Sequence, residues 1–246
     1  MNDSEKISSW NLTEADKASI PDIHTLAARL SPDFYWVKDP TVNGTYFNTI
    51  ETGDFSESLG EPQLAKGTTF GEHKIGFIEH LFTYSQAYAL SEYGTALKNQ
   101  GLLNPTDEAQ HQITRLAAYN DPLCVYLMHQ LLPAFKWITG EKLQPSYAFF
   151  SRYLAGSALG KHTDVPRCPF NVSIQLRTVL KPEYAETPNV TWPLNVEVAP
   201  DNVKTVTLLD GDAAVYLGTK QPHWRETMSE KIEYVDVLLF HYLPRE

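Results

Sequence analysis

Tyr147-Ala148-Phe149-Phe150-Ser151-Arg152-Tyr153-Leu154 packs aromatic and aliphatic residues into a run too short for an ordinary helix, and eight residues after it stands His162-Thr163-Asp164. A run of this length and composition reads as a β-strand. It is the first of a series. Phe170–Leu180, Val190–Val198, Thr205–Leu209, Ala213–Leu217, His223–Met228 and Ile232–Tyr242 have the same character. Turn residues punctuate them at Pro188-Asn189, Pro200-Asp201-Asn202 and Asp210-Gly211-Asp212. Closely spaced short strands with such turns predict a sandwich or jelly roll.

Working back from Gly140, the grammar is helical. Asp121-Pro122 sets an N-cap residue before a first-turn proline and predicts a helix to Trp137, ending near Gly140. Thr106 or Asp107 caps a further expected helix to Ala118. Ile75, Ile78, Leu81 and Phe82 keep a helical spacing from Glu72 that runs through Tyr88 and Leu90 to Leu97, with Gly101 as the stop. Pro21 and Asp22 open a short helix closed by Pro32. Residues 40–70 read as irregular, with a short strand at Tyr46–Ile50. The expected class is α+β: one domain over residues 1–246, mainly helical over 1–140 and β over 141–246, with the helices covering one sheet.

Along a strand, residues i and i+2 share a face, so His162 and Asp164 can aim at one point. His223 opens a later strand, and antiparallel topology brings distant strands side by side. Two histidines and one carboxylate form the ligand set of a mononuclear non-haem Fe(II) site, and three protein ligands leave coordination positions open. A loop histidine beside a turn aspartate has the same spacing. The remaining motifs favour the metal. The chain has no second His-x-Asp, no His-Glu-x-x-His, no Gly-x-Ser-x-Gly and no phosphate-cradling glycine loop.

Tyr153-Leu154-Ala155-Gly156-Ser157-Ala158-Leu159-Gly160-Lys161-His162-Thr163-Asp164 resembles the Tyr-x-x-Gly-x-x-Leu-x-x-His-x-Asp segment of Fe(II)- and 2-oxoglutarate-dependent dioxygenases of the prolyl-hydroxylase-like type. Gly211 to Gly218, followed by Pro222-His223-Trp224-Arg225-Glu226, resembles the half that carries their distal histidine. The resemblance covers residues 145–246. It implies a double-stranded β-helix with Fe(II) held by His162, Asp164 and His223. It also implies that decarboxylation of the cosubstrate 2-oxoglutarate by O2, giving succinate and CO2, is coupled to hydroxylation of an unactivated C–H bond. Related halogenases carry Gly or Ala at the position of Asp164, so an intact carboxylate favours hydroxylation, or occasionally desaturation or ring closure.

The distal carboxylate of 2-oxoglutarate needs a fixed cation, best met by the planar fork of an arginine. The resemblance puts it on the strand after the distal histidine. Here the chain departs from the pattern. Lys231 lies eight residues after His223, while Arg225 lies two after and shares its face in a regular strand. Arg225 is the preferred anchor and Lys231 the alternative; a surface ion pair of Arg225 with Glu226 or Glu230 is the competing structural role. Tyr147 and Tyr153, on the strand entering the site, are candidates to hydrogen-bond a cosubstrate carboxylate, and otherwise are core residues. Trp224 is expected to face away from the metal, Cys168 to be buried, and His241 to be structural or a partner of the ligands.

A net charge of −10 and the lack of a basic cluster argue against nucleic acid. The two cysteines, Cys124 and Cys168, form neither a disulfide framework nor a Cys-x-x-Cys motif. No apolar run is long enough to span a membrane, and Met1 to Asn11 has no leader-like core, so a cytoplasmic protein is expected. The expected substrate is a small molecule, such as an amino acid or a natural-product intermediate. A peptidyl or protein hydroxylase, and a cupin-like metal enzyme that does not use 2-oxoglutarate, are the alternatives. Residues 40–70 and Lys181–Asn189 are candidates for a lid. The sequence gives no indication of oligomeric state.

Overall fold

The strands predicted after Gly140 assemble into two antiparallel sheets. A computed structural model describes residues 70–106 and 114–245. The helix at Pro21, the strand at Tyr46–Ile50 and the candidate lid at 40–70 therefore lie outside the described residues, apart from Phe70. In chain order the elements are α1 (Phe70–His73), β1 (Ile75–Ile78), α2 (Tyr84–Asn99), β2 (Asn104–Pro105), β3 (Arg115–Tyr119), α3 (Pro122–Gln130) and α4 (Leu132–Thr139). Then follow β4 (Leu143–Leu154), β5 (Leu159–His162), β6 (Phe170–Leu180), β7 (Leu194–Ala199), β8 (Asn202–Val206), β9 (Ala213–Tyr216), β10 (His223–Arg225) and β11 (Ile232–Pro244).

The larger sheet has the order β1-β9-β6-β11-β4-β3-β2 and the smaller β5-β10-β7-β8. This is the expected double-stranded β-helix, with helices packed on the larger sheet. Alternation along its central strands separates two faces. Ala148 and Phe150 of β4, Val172, Ile174 and Leu176 of β6, and Leu238, Phe240 and Tyr242 of β11 join one apolar cluster with Leu90, Leu97, Leu127 and Phe135 of the helices. Tyr147, Phe149, Asn171, Ser173, Val237, Leu239 and His241 face the space between the sheets. Two smaller clusters connect the sheets: Tyr153, Val235 and Val237 with Trp192 and Met228, and Ile75, Ala214 and Tyr216 with Leu194 and Val196.

Two contacts fix α2 on the outer face. At Gly94 a Cβ would fall 1.9 Å from Phe150 Cζ, so glycine lets the helix approach the ring directly. Arg152 donates from Nε to Asp236 Oδ1 and from Nη2 to Asp236 Oδ2, both at 2.7 Å, and Ser91 Oγ of α2 donates to the same carboxylate at 2.7 Å. This forked, hydrogen-bonded pair is the geometry in which a buried charge pair is tolerated.

Three helical expectations are corrected. Ile75–Ile78 is a strand paired with Ala213–Tyr216 rather than helix, and the short α1 ends before Lys74, whose φ is +54°. Arg115–Tyr119 is likewise a strand, paired with Phe149–Tyr153. In both, ladder hydrogen bonds supplied by a neighbouring strand override local helical spacing. The helix expected over Pro122–Trp137 is two helices, because Pro133 lacks the N–H that an uninterrupted helix would use. Its start is as expected: Asp121 accepts from the backbone N–H groups of Leu123 and Cys124. Among the described residues, no helix is long and apolar enough to cross a membrane.

Candidate metal centre

β5 and β10 are neighbours in the smaller sheet, and His223 stands directly opposite His162. Their ring centroids are 4.3 Å apart. Asp164 lies two residues beyond the end of β5, tied back by its N–H to the Gly218 carbonyl at 2.9 Å. Nε2 of His162 is 3.5 Å from Asp164 Oδ1, and Nε2 of His223 is 3.5 Å from Asp164 Oδ2. One potential ligand atom from each residue falls within 4.8 Å of the others. The three predicted ligands therefore converge.

The donor set fits a divalent transition metal. His162 Nδ1 donates to the Gly160 carbonyl at 2.8 Å, and His223 Nδ1 to the Gln221 carbonyl at 3.0 Å. A carbonyl only accepts, so both rings carry their proton on Nδ1 and present the Nε2 lone pair to the site. Burial lowers the pKa of His223, which keeps it in the neutral, ligating form. Burial pushes the Asp164 carboxyl up, but its contact with His162 and the attraction of His223, His241 and His162 whenever these are protonated outweigh this and set its pKa below the usual value. Gly218 makes room for the carboxylate, since a Cβ there would lie 2.3 Å from Asp164 Oδ2.

The triad borders a cavity of about 490 Å³ between the sheets. Arg225 lines it and is 4% exposed. Its Nη1 donates to the Trp192 carbonyl and its Nη2 to Ser173 Oγ at 3.4 Å, with the guanidinium 4.9 Å from the Trp192 ring centroid. No carboxylate among the described residues pairs with it. Glu226, the alternative partner, accepts instead from Trp224 Nε1 at 2.8 Å. Burial lowers the pKa of Arg225, yet a guanidinium stays charged in proteins. A buried cation with only neutral acceptors bears an uncompensated desolvation cost, which an anionic group in the cavity would reduce.

The other predicted residues separate. Tyr153 lines the cavity and its hydroxyl accepts from Arg115 Nη1 at 3.3 Å. Tyr147 also lines it, with its hydroxyl against Cys168 Sγ. Lys231 does not line the cavity; its Nζ lies 5.8 Å from the Tyr184 ring centroid. Trp224 faces away from the triad, with Lys161 Nζ 4.9 Å from its ring centroid. Cys168 is buried beside the site, as expected.

Asn171, Ser173, Trp192, Tyr216 and Arg115 belong to the site or its surroundings and were not singled out from sequence. A signal for the first two exists: Asn171 and Ser173 alternate with Phe170, Val172 and Ile174, the pattern of a polar stripe on a buried strand.

No protein-family profile matches the chain, and no curated protein matches it. Solved structures do. A prolyl-4-hydroxylase from Pseudomonas putida is 15% identical with a TM-score of 0.56, covering 72% of this chain and 96% of that one. The epimerase SnoN from nogalamycin biosynthesis, described as non-haem and α-ketoglutarate dependent, is 12% identical with a TM-score of 0.57, covering 72% and 80%. HygX from Streptomyces hygroscopicus, solved with nickel and 2-oxoglutarate bound, is 14% identical with a TM-score of 0.51, covering 71% and 84%. The chain has the fold of the 2-oxoglutarate- and Fe(II)-dependent oxygenases. At the mouth of that fold, its own sequence sets a His-x-Asp…His triad in ligating geometry.

Proposed function

We propose that the protein is an Fe(II)- and 2-oxoglutarate-dependent dioxygenase that hydroxylates an unactivated C–H bond of a small molecule, with residues 1–246 forming one catalytic domain. The observation that carries this reading is the convergence of His162, Asp164 and His223, with both imidazoles oriented by backbone carbonyls so that Nε2 faces the carboxylate. These three residues would hold the ferrous ion. When bound, iron with 2-oxoglutarate and O2 supplies the oxidising power for C–H hydroxylation, releasing succinate and CO2.

In this reading Arg225 takes the distal carboxylate of 2-oxoglutarate by charge-assisted hydrogen bonds, with Ser173 and Tyr153 beside it. Tyr147, Phe149 and Val165 also line the cavity and would position the substrate. A volume of about 490 Å³ supports a small-molecule substrate alongside the cosubstrate. The carboxylate at position 164 supports hydroxylation, since it fills the position that a halide would need.

Purified protein with Fe(II), O2 and 2-oxoglutarate, screened against a panel of amino acids and other metabolites, tests the proposal. The expected outcome is succinate formation and O2 uptake that depend on 2-oxoglutarate and disappear in His162→Ala and Asp164→Gly. Turnover of a metabolite with Fe(II) and O2 that ignores 2-oxoglutarate would favour the cupin-like alternative.

A further inference from the structure

Of the three candidate ligands, His162 and His223 sit on strands, whereas Asp164 lies in the coil after β5. A strand ladder holds the histidines; something else must hold the carboxylate. The inner face of the larger sheet provides a row for this. Tyr216, Asn171, His241 and Tyr147 are successive cross-strand partners on β9, β6, β11 and β4. Asn171 Nδ2 donates to Asp164 Oδ2, and Asn171 Oδ1 is 2.7 Å from His241 Nδ1.

We propose that Asn171 and His241 are positioning residues that hold Asp164 in its metal-binding orientation through a one-directional hydrogen-bond chain. The inference rests on the reading of His162, Asp164 and His223 as metal ligands. The direction of the chain follows from its chemistry. An ionised carboxylate only accepts, so the amide must turn Nδ2 toward Asp164. That turns Oδ1, another pure acceptor, toward His241, whose Nδ1 therefore carries the proton. Reversing the amide would set two acceptors face to face at Asp164. The chain is also confined. Asn171 and His241 are 3% and 6% exposed. The Tyr147 ring centroid lies 4.3 Å from that of His241. A Cβ at Gly218 would come 2.6 Å from Asn171 Nδ2, so neither the amide nor the carboxylate has room if that glycine is replaced. With Oδ2 engaged by the amide, Oδ1 is left as the oxygen without an amide donor. The effect of the chain is to fix the carboxylate before a metal arrives.

Partners of this kind set metal affinity by about 10- to 100-fold. The test uses Co(II) alone, titrated without 2-oxoglutarate and followed by its visible absorption, which reports ligand geometry as well as occupancy. Asn171→Ala and His241→Leu are expected to weaken Co(II) binding by about 10- to 100-fold and to alter the absorption bands. His241→Asn, whose amide can donate from the Nδ1 position, should restore both toward wild type. A purely packing role predicts that Asn and Leu at 241 behave alike and that the spectrum does not move. Wild-type affinity and spectrum in Asn171→Ala and His241→Leu would overturn the proposal. A wild-type protein that takes up no Co(II), like His162→Ala, would overturn the metal-site reading itself. Should Asn171→Ala fail to fold, 15N NMR of histidine-labelled wild type decides the point: His241 is expected as the Nδ1–H tautomer, and the Nε2–H tautomer would overturn the chain.

Discussion

Two arginines are buried almost equally in this fold, Arg152 at 2% exposure and Arg225 at 4%, yet their company differs. Arg152 faces the helices and grips Asp236 through a two-point fork, with Tyr234 beneath it at 4.0 Å. Arg225 faces the cavity and has a carbonyl, a hydroxyl and an indole face. Burial alone would lower the pKa of Arg152, and the hydrogen bond and charge of Asp236 raise it above the ordinary value; burial lowers that of Arg225. The difference separates a cation that completes an ion pair from one whose neighbours among the described residues are all neutral. A fold that buries a charge without a counter-charge bears a desolvation cost, and at Arg225 an anionic cosubstrate would offset it.

Replacing Arg225 by Met breaks the comparison most sharply. The concentration of 2-oxoglutarate giving half-maximal succinate formation should rise by at least about 100-fold, the scale of removing one partner of a buried charged contact. The unfolding midpoint without ligands should stay level or rise, because an unpaired buried cation is gone. An unchanged 2-oxoglutarate requirement would move the anchor away from Arg225, with Arg115 the other arginine among the described residues that line the cavity. Asp236→Ala should do the reverse. It leaves Arg152 uncompensated and should cost about 3–5 kcal/mol in denaturant unfolding, while the 2-oxoglutarate requirement of the folded enzyme hardly moves. Gly94→Ala forces a Cβ into the Phe150 ring and should cost about 1–3 kcal/mol, read in the same unfolding experiment, with metal affinity unchanged.

The smallest effect concerns a carboxyl on the larger sheet's rim. Burial pushes the pKa of Asp210 up to about 6 from an ordinary 3.8, although its side chain accepts from the Thr178 N–H. A raised acid pKa means that the folded state binds the proton more tightly than the unfolded one. This group's contribution to stability is therefore greatest below the ordinary value and falls as pH rises toward about 6. Asp210→Asn keeps a side-chain acceptor and should flatten that slope in unfolding curves measured across this range. A slope identical to wild type would show that Asp210 titrates normally.

The same contrast explains what was legible in the chain. The convergence of His162, Asp164 and His223 is legible in part: His162 and Asp164 share a local motif, while His223 joins them only through the antiparallel pairing of β5 and β10. Arg225 was readable by its two-residue offset from His223, which sets it on the same face of a short strand. Asn171 and His241 were harder. Each is one of several polar residues on its strand, and only the register of β6 against β11 reveals that these two meet. Gly218 lies in a recognisable segment, but its role depends on a carboxylate 54 positions earlier. Ile75–Ile78, at one edge of the larger sheet, and Arg115–Tyr119, between β4 and the two-residue β2, have no strand pattern of their own to read, because their pairing partners lie far away in sequence. Pro133 was a visible breaker inside the helix predicted from Asp121, and its effect was legible in principle.

The central claim is that this chain binds 2-oxoglutarate through a metal held by its triad together with a cavity arginine. Anaerobic calorimetric titration of 2-oxoglutarate into the protein, with and without Fe(II), tests it most directly. The account predicts one saturable site that requires Fe(II), is absent in His223→Ala and is severely weakened in Arg225→Met. Saturable Fe(II) binding with no 2-oxoglutarate uptake, or 2-oxoglutarate binding indifferent to the metal, would contradict it.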